Sequence, residues 1–226
     1  MTLPSGTDPS VPEPDPAPNP AMDLLAYYRA PQAVTGPVYA MEPTRTGIFL
    51  TTGGIELLAR HLQQEGHSLD AALGGAAHAL YLHEMFHHIV ASASAILEAE
   101  KLGQPYATYR DQVDAALGYN PLEEQLANAF MLQRVDATLR PALERFVQGQ
   151  PAGYRGGVHL DSRADMNDAC ERLASQLVSQ TLPDELAAVR ALALDLSQRL
   201  VTPNTVRVHV VESPNSAHQF GDWRFH

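Results

Sequence analysis

One cysteine, one tryptophan and no long apolar run mark what this chain does without. Cys170 has no partner for an internal disulfide, so a disulfide-stapled secreted scaffold is excluded and a reducing, cytoplasmic setting is the expectation. No stretch reaches the roughly 18 uninterrupted apolar residues of a membrane-spanning helix. Basic charge is scarce too: 15 Lys and Arg stand against 26 Asp and Glu, for a net charge of −11. A surface of that sign does not neutralise phosphates, which sets aside nucleic acids and anionic membranes as partners. No basic residue precedes Arg29 and no apolar segment follows Met1, so no secretory signal is expected. Fixed-period repeats are lacking, which removes solenoids and propellers.

What is there is 226 residues, 45% hydrophobic and 18% charged, the balance of one globular domain with a substantial core. Proline gathers at the start, where Pro12, Pro14, Pro16, Pro18 and Pro20 alternate with small or acidic residues. Such a run offers neither a ladder of N–H donors nor a packing face. Residues 1–21 are therefore expected as a disordered, acidic, Pro-rich tail, and 22–226 as a single domain.

Beyond the tail the pattern predicts short strands at Val38–Met41 and Gly47–Leu50, joined across Glu42-Pro43-Thr44-Arg45. Thr51 or Thr52 caps a helix to about Gln64, and Ser68 caps a long one from Leu69 to about Leu102, apolar around much of its circumference and so suited to the middle of a domain. Helices are expected from Pro105 to Leu117, from Pro121 to about Val147, from Ser162 to Gln180 and from Pro183 to Leu200. The alternation of Val206–Val211 predicts a closing strand. The class is mainly α (α+β), a helical domain with a small sheet built from distant parts of the chain.

The strongest chemical signal is His83-Glu84-Met85-Phe86-His87, placed inside the long helix. Positions i and i+4 lie about 40° apart around a helix, so both imidazoles can reach one cation at ~2.0–2.1 Å. Random order gives ~0.03 matches to H-E-x-x-H in a chain of this composition, so coincidence is a weak account. Buried imidazoles each need a partner, and one Zn2+ serves both. Glu84 is then placed to take a proton from a water that the zinc acidifies.

A catalytic zinc takes three protein ligands and keeps one open position. Glu123, Glu124, His88, His159, His209 and His218 are the candidates. His88 projects about 100° away from His87, and His78 is nearly opposite His83. The segment from Asn120 to Asn128 is favoured by chain geometry, because the ~21 Å from His87 to the end of its helix is returned by the ~20 Å of the next. With Asn120 as N-cap and Pro121 first in the helix, Glu123 is expected to close a capping box on the Asn120 N–H. Glu124 shares a face with Asn128 four residues on, so Glu124 is the expected ligand and Asn128 the group that orients a histidine from behind. In the Gly-rich stretch Pro151–His159, Tyr154 is the candidate for stabilising an oxyanion, with His159 next.

His83-Glu84-x-x-His87 followed by Glu124-Gln125-Leu126-Ala127-Asn128 resembles the gluzincin group of zinc metallopeptidases. Asn128 stands where that group usually has aspartate, and the stretch between His87 and Glu124 is longer than in thermolysin-like members. The resemblance covers about Ala72 to Leu132. It implies a zincin-like fold, Zn2+ as cofactor, Glu124 as third ligand and hydrolysis of a protein or peptide substrate. The alternative is a non-catalytic, partner-binding helical protein whose metal site is structural, which a fourth protein ligand would mark.

Overall fold

The computed structural model describes residues 20, 22, 25–29, 47–101, 120–160, 162–178, 185–201 and 206–212. Strand β1 (Ala26–Arg29) runs antiparallel to β2 (Gly47–Thr51), with Ala26 opposite Leu50 and Arg29 opposite Gly47. Strand β3 (Val208–Val211) lies parallel to β2 on its other side, Ile48 opposite Val208. Ala26, Ile48 and Leu50 are buried on the face turned to the core. On the opposite face Tyr27, Phe49 and His209 stack across the three strands, with ring centroids 4.9 and 4.6 Å apart. The expected strand at Val38–Met41 falls outside the described residues; the strand that β2 pairs with here is Ala26–Arg29, which the sequence pattern did not mark.

Thr51 ends β2 and starts helix α1 (Thr52–Gln64). Its hydroxyl donates to the Leu25 carbonyl at 2.7 Å and accepts from the Gly54 N–H at 2.9 Å, so one side chain anchors the sheet and caps the helix. Helix α2 (Leu69–Lys101) follows and packs against α1 and both β1 and β2. Leu82, His83, Glu84, Met85, Phe86 and His87 are all buried, more than a full turn closed off on every side. Any polar group on that turn must find its partner inside the protein.

Where one helix was expected from Pro121 to Val147 there are two, α3 (Pro121–Leu132) and α4 (Arg140–Gln148). The break has a local cause. Asp136 accepts from both the N–H and the hydroxyl of Thr138, forming a turn, while the Pro141 ring cannot coexist with a helical carbonyl four residues earlier at Ala137. A 3-10 helix (Arg155–His159) then lies on α3, and helices α5 (Arg163–Val178) and α6 (Glu185–Arg199) pack together, α6 also against α2. The expected helix Pro105–Leu117 lies outside the described residues. Buried side chains from α1 to α6 and the sheet form one continuous core. The architecture is mainly α with a small mixed sheet, and among the described residues no helix is long and apolar enough to cross a membrane.

Candidate metal centre

Helix α3 meets the buried turn of α2 through three polar residues, Glu123, Glu124 and Asn128. Asn120 caps α3, its side-chain oxygen accepting from the N–H groups of Leu122 and Glu123, and Pro121 occupies the first turn where its missing N–H costs nothing. That start brings Glu123, Glu124 and Asn128 against the buried turn of α2. His87 Nδ1 bonds Glu123 Oε1 at 2.8 Å, and His83 Nδ1 bonds Asn128 Oδ1 at 3.0 Å. The contacts descend α3 as they climb α2, so the helices run antiparallel here.

The other edges of both rings face Glu124. His83 Nε2 is 3.3 Å and His87 Nε2 is 3.7 Å from Glu124 Oε2, and the two Nε2 atoms are 3.4 Å apart. Three such atoms are each about 2 Å from a common centre, the distance at which zinc binds imidazole and carboxylate. His83, His87 and Glu124 are the group of ligating side chains found among the described residues, and all three are buried.

The hydrogen-bond chemistry makes the same demand. A carboxylate at Nδ1 of His87 and an amide oxygen at Nδ1 of His83 are both acceptors, so each ring carries its proton on Nδ1 and turns a lone pair at Nε2 inward. Two lone pairs then face a carboxylate oxygen that is buried without a directed hydrogen bond. Three acceptors cannot satisfy one another; a cation at their centre satisfies all three. Without a metal a proton fills the role. Burial alone would lower the His87 pKa, but Glu124 and Glu123 outweigh it and hold the imidazole well above its usual range. Burial likewise opposes ionisation of Glu124, yet the two imidazoles keep its carboxyl far below the ordinary carboxylate range.

Asn128 is held in turn. Its Nδ2 donates to Gln150 Oε1 at 3.1 Å and to the Tyr154 carbonyl at 3.0 Å. Tyr154, expected to face a developing oxyanion, is buried, and its main-chain oxygen is tied to the back of Asn128. The glycines after it have a packing cause: a Cβ on Gly157 would stand 2.5 Å from the Gln125 carbonyl and 2.8 Å from Asn128 Cβ, so only glycine lets this strand of chain lie against α3. Glu84 is buried beside His83 on α2.

Glu123 has a role beyond the capping box expected of it: its N–H bonds the Asn120 side chain, as one half of such a box requires, and its Oε1 bonds His87. The signal was present: a ligating histidine needs an acceptor behind it, and the first turn of α3 carries two carboxylates. Gln150, fully buried, has no counterpart among the sequence-predicted site residues. Of the remaining candidates, His88 pairs with the Tyr28 hydroxyl at 3.2 Å, His209 stacks on Phe49, and His78 and His159 are exposed. His218 lies outside the described residues. No protein family, curated protein or solved structure matches the chain.

Proposed function

We propose that the chain is a zinc-dependent metallopeptidase of gluzincin type, with His83, His87 and Glu124 as ligands and Glu84 as proton carrier. The observation that carries this reading is the triangle of His83 Nε2, His87 Nε2 and Glu124 Oε2, with edges of 3.3, 3.4 and 3.7 Å, on a helix that presents Glu84 within the same turn. Zinc in such a set, with its fourth position open, supplies Lewis acidity: it polarises a carbonyl and acidifies a water. The chain's own residues do the rest. Glu123 and Asn128 hold the two rings with Nδ1 protonated. The Glu84 carboxylate accepts the proton of the attacking water and passes it to the leaving amine nitrogen of the peptide. The oxyanion role of the Tyr154 phenol and the cytoplasmic setting belong to the same proposal.

Three ligands from His and Glu, with no fourth such group gathered among the described residues, favour an open position over a closed structural site. Burial of every ligand is the observation that favours the rival, a structural metal in a partner-binding protein. The Glu84→Gln variant separates the two. Wild type and variant should bind one zinc per chain, while cleavage of proteome-derived peptides, read by mass spectrometry, should fall on the order of 10² or more in the variant. Equal peptide patterns from both proteins would leave the structural reading standing, and a variant without zinc would make Glu84 a ligand.

A further inference from the structure

Behind His83 runs a buried chain of amides that ends on the main chain of a distant segment. Asn128 Oδ1 bonds His83 Nδ1 at 3.0 Å, Asn128 Nδ2 donates to Gln150 Oε1 at 3.1 Å, and Gln150 Nε2 donates to the Pro20 carbonyl at 3.0 Å. Asn128 and Gln150 are wholly buried, so no solvent competes for these bonds. A primary amide is ambiguous by itself, since a half-turn exchanges donor and acceptor. Here the ambiguity is removed from outside. The Pro20 carbonyl can only accept, so Gln150 must turn its NH2 toward it and its oxygen toward Asn128. The Tyr154 carbonyl, also an acceptor only, takes the second N–H of Asn128 at 3.0 Å. With both amide hydrogens claimed, Asn128 has only its oxygen left for His83, and the His83 ring must carry its proton on Nδ1.

We propose that Gln150, oriented by the Pro20 carbonyl, is a positioning residue that fixes the tautomer of His83 and so keeps the Nε2 lone pair directed at the metal centre. The tautomer follows from the hydrogen bonds alone; only its consequence for zinc rests on the metallopeptidase reading. His87 supplies an internal reference, because its tautomer is set by the Glu123 carboxylate and owes nothing to the amide chain. Loss of Gln150 therefore has a selective signature. Replacing it by leucine leaves one Asn128 N–H buried with no acceptor and removes half of what holds the amide. Replacing it by glutamate keeps an acceptor for Asn128 whichever oxygen faces it; the carboxylate cannot donate to the Pro20 carbonyl, so this variant should lose stability while the Asn128 amide stays oriented.

The test uses the full chain, labelled with 15N at histidine and free of metal, at alkaline pH. Wild type should show a pyrrole-type Nδ1 and a pyridine-type Nε2 for both His83 and His87. Gln150→Leu should move the His83 nitrogens toward the averaged shifts of a tautomer mixture and leave His87 in place; Gln150→Glu should restore the wild-type His83 pattern. In a chelator-competition titration zinc affinity should follow the same order, weakened by up to about tenfold in Gln150→Leu and recovered in Gln150→Glu. An unchanged His83 tautomer in a folded Gln150→Leu protein overturns the proposal, as does a shift of His83 and His87 together, which would mean general loosening of the site. Wild type that binds no zinc yet shows the selective His83 shift would sink the metal reading and leave this one intact.

Discussion

Adjacent carboxylates on α3 hold the same imidazole from opposite edges, Glu123 at Nδ1 and Glu124 toward Nε2 of His87. A metal ligand and the group that polarises a ligand differ in what their loss costs. Glu123→Gln should weaken zinc 10–100-fold, because the neutral amide still accepts from Nδ1–H but no longer raises the basicity of Nε2. Glu124→Gln would remove a ligand of the proposed site and should weaken zinc by a further factor of about ten or more. Chelator-competition titration of both variants checks the order, and equal losses would show that the two glutamates share one role. The same pair governs pH. A histidine whose pKa is raised in the folded state stabilises it fully below the unfolded value of 6.5 and ceases to do so as pH rises through the raised value. Glu124, with its pKa lowered, contributes fully above the unfolded 4.5 and loses that contribution as pH falls through the lowered value. For this pair the metal-free protein is therefore most stable between 4.5 and 6.5. On the proposed zinc site the metal would have to displace the His87 proton, so its apparent affinity should rise by about a factor of ten per pH unit through neutrality and level off above the raised pKa. Calorimetry in buffers of different ionisation enthalpy reads the released proton directly; binding enthalpies that do not vary with buffer would show that His87 is neutral before zinc arrives.

At the scale of elements, the antiparallel contact of α2 and α3 is set by what lies behind α3 as much as by its facing side chains. The 3-10 helix presses on α3 at Gly157, where an added methyl would meet the Gln125 carbonyl and Asn128 Cβ. Gly157→Ala should cost about 1–3 kcal/mol of stability through overpacking and, by pushing on Asn128, should weaken zinc as well. Gly74 on α2 provides the opposite sign: a methyl group added there would meet nothing within 4 Å, and alanine should stabilise by about 0.5–1 kcal/mol through helix propensity. Urea midpoints of both variants decide it, and a neutral Gly157→Ala would mean that the 3-10 helix can shift freely. Elements with an internal period were legible: α1, and α2 with its capping Ser68 and its two histidines on one face. The break between α3 and α4 was legible in principle, since Pro141 forbids a helical Ala137 carbonyl and Asp136 supplies a turn, but the apolar spacing runs on across it. Strand β1 has four residues, Ala-Tyr-Tyr-Arg, too few for alternation to mark, and its pairing is decided by β2, which begins 18 residues after β1 ends. The bond from Glu123 to His87 was not legible in sequence, because a carboxylate at the third helical position has two oxygens and only tertiary packing shows that one of them serves a neighbouring helix. Gln150 carries no local pattern at all; its role exists only once Pro20, Asn128 and α2 are brought together.

For the molecule as a whole, the candidate metal centre sits where the core helix meets α3, so metal bound there would couple its occupancy to global stability. A ligand that binds the folded chain and not the unfolded one stabilises it by RT ln(1 + [L]/Kd), about 2.7 kcal/mol at a hundredfold excess over Kd. Cys170 offers a way to observe this that is independent of catalysis. It is wholly buried on α5, burial pushes its thiol up to about 12, and it is not among the metal-ligating side chains. In the folded protein it is therefore closed to thiol reagents both sterically and by the lack of thiolate, and labelling at neutral pH must pass through an opening of α5 from α3 and α6. If that opening also separates α3 from α2, zinc must leave first. Zinc at a hundredfold excess over Kd should then slow labelling by about a hundredfold under conditions where reclosing outpaces the reagent. Glu84→Gln, which retains the three ligands, should be protected equally, whereas Glu124→Gln should gain far less at the same zinc concentration. Labelling that zinc does not slow would show that α5 opens as a unit of its own, with α2 and α3 still clasped around the ion, and labelling that zinc accelerates would mean that Cys170 is drawn to the metal in the opened chain.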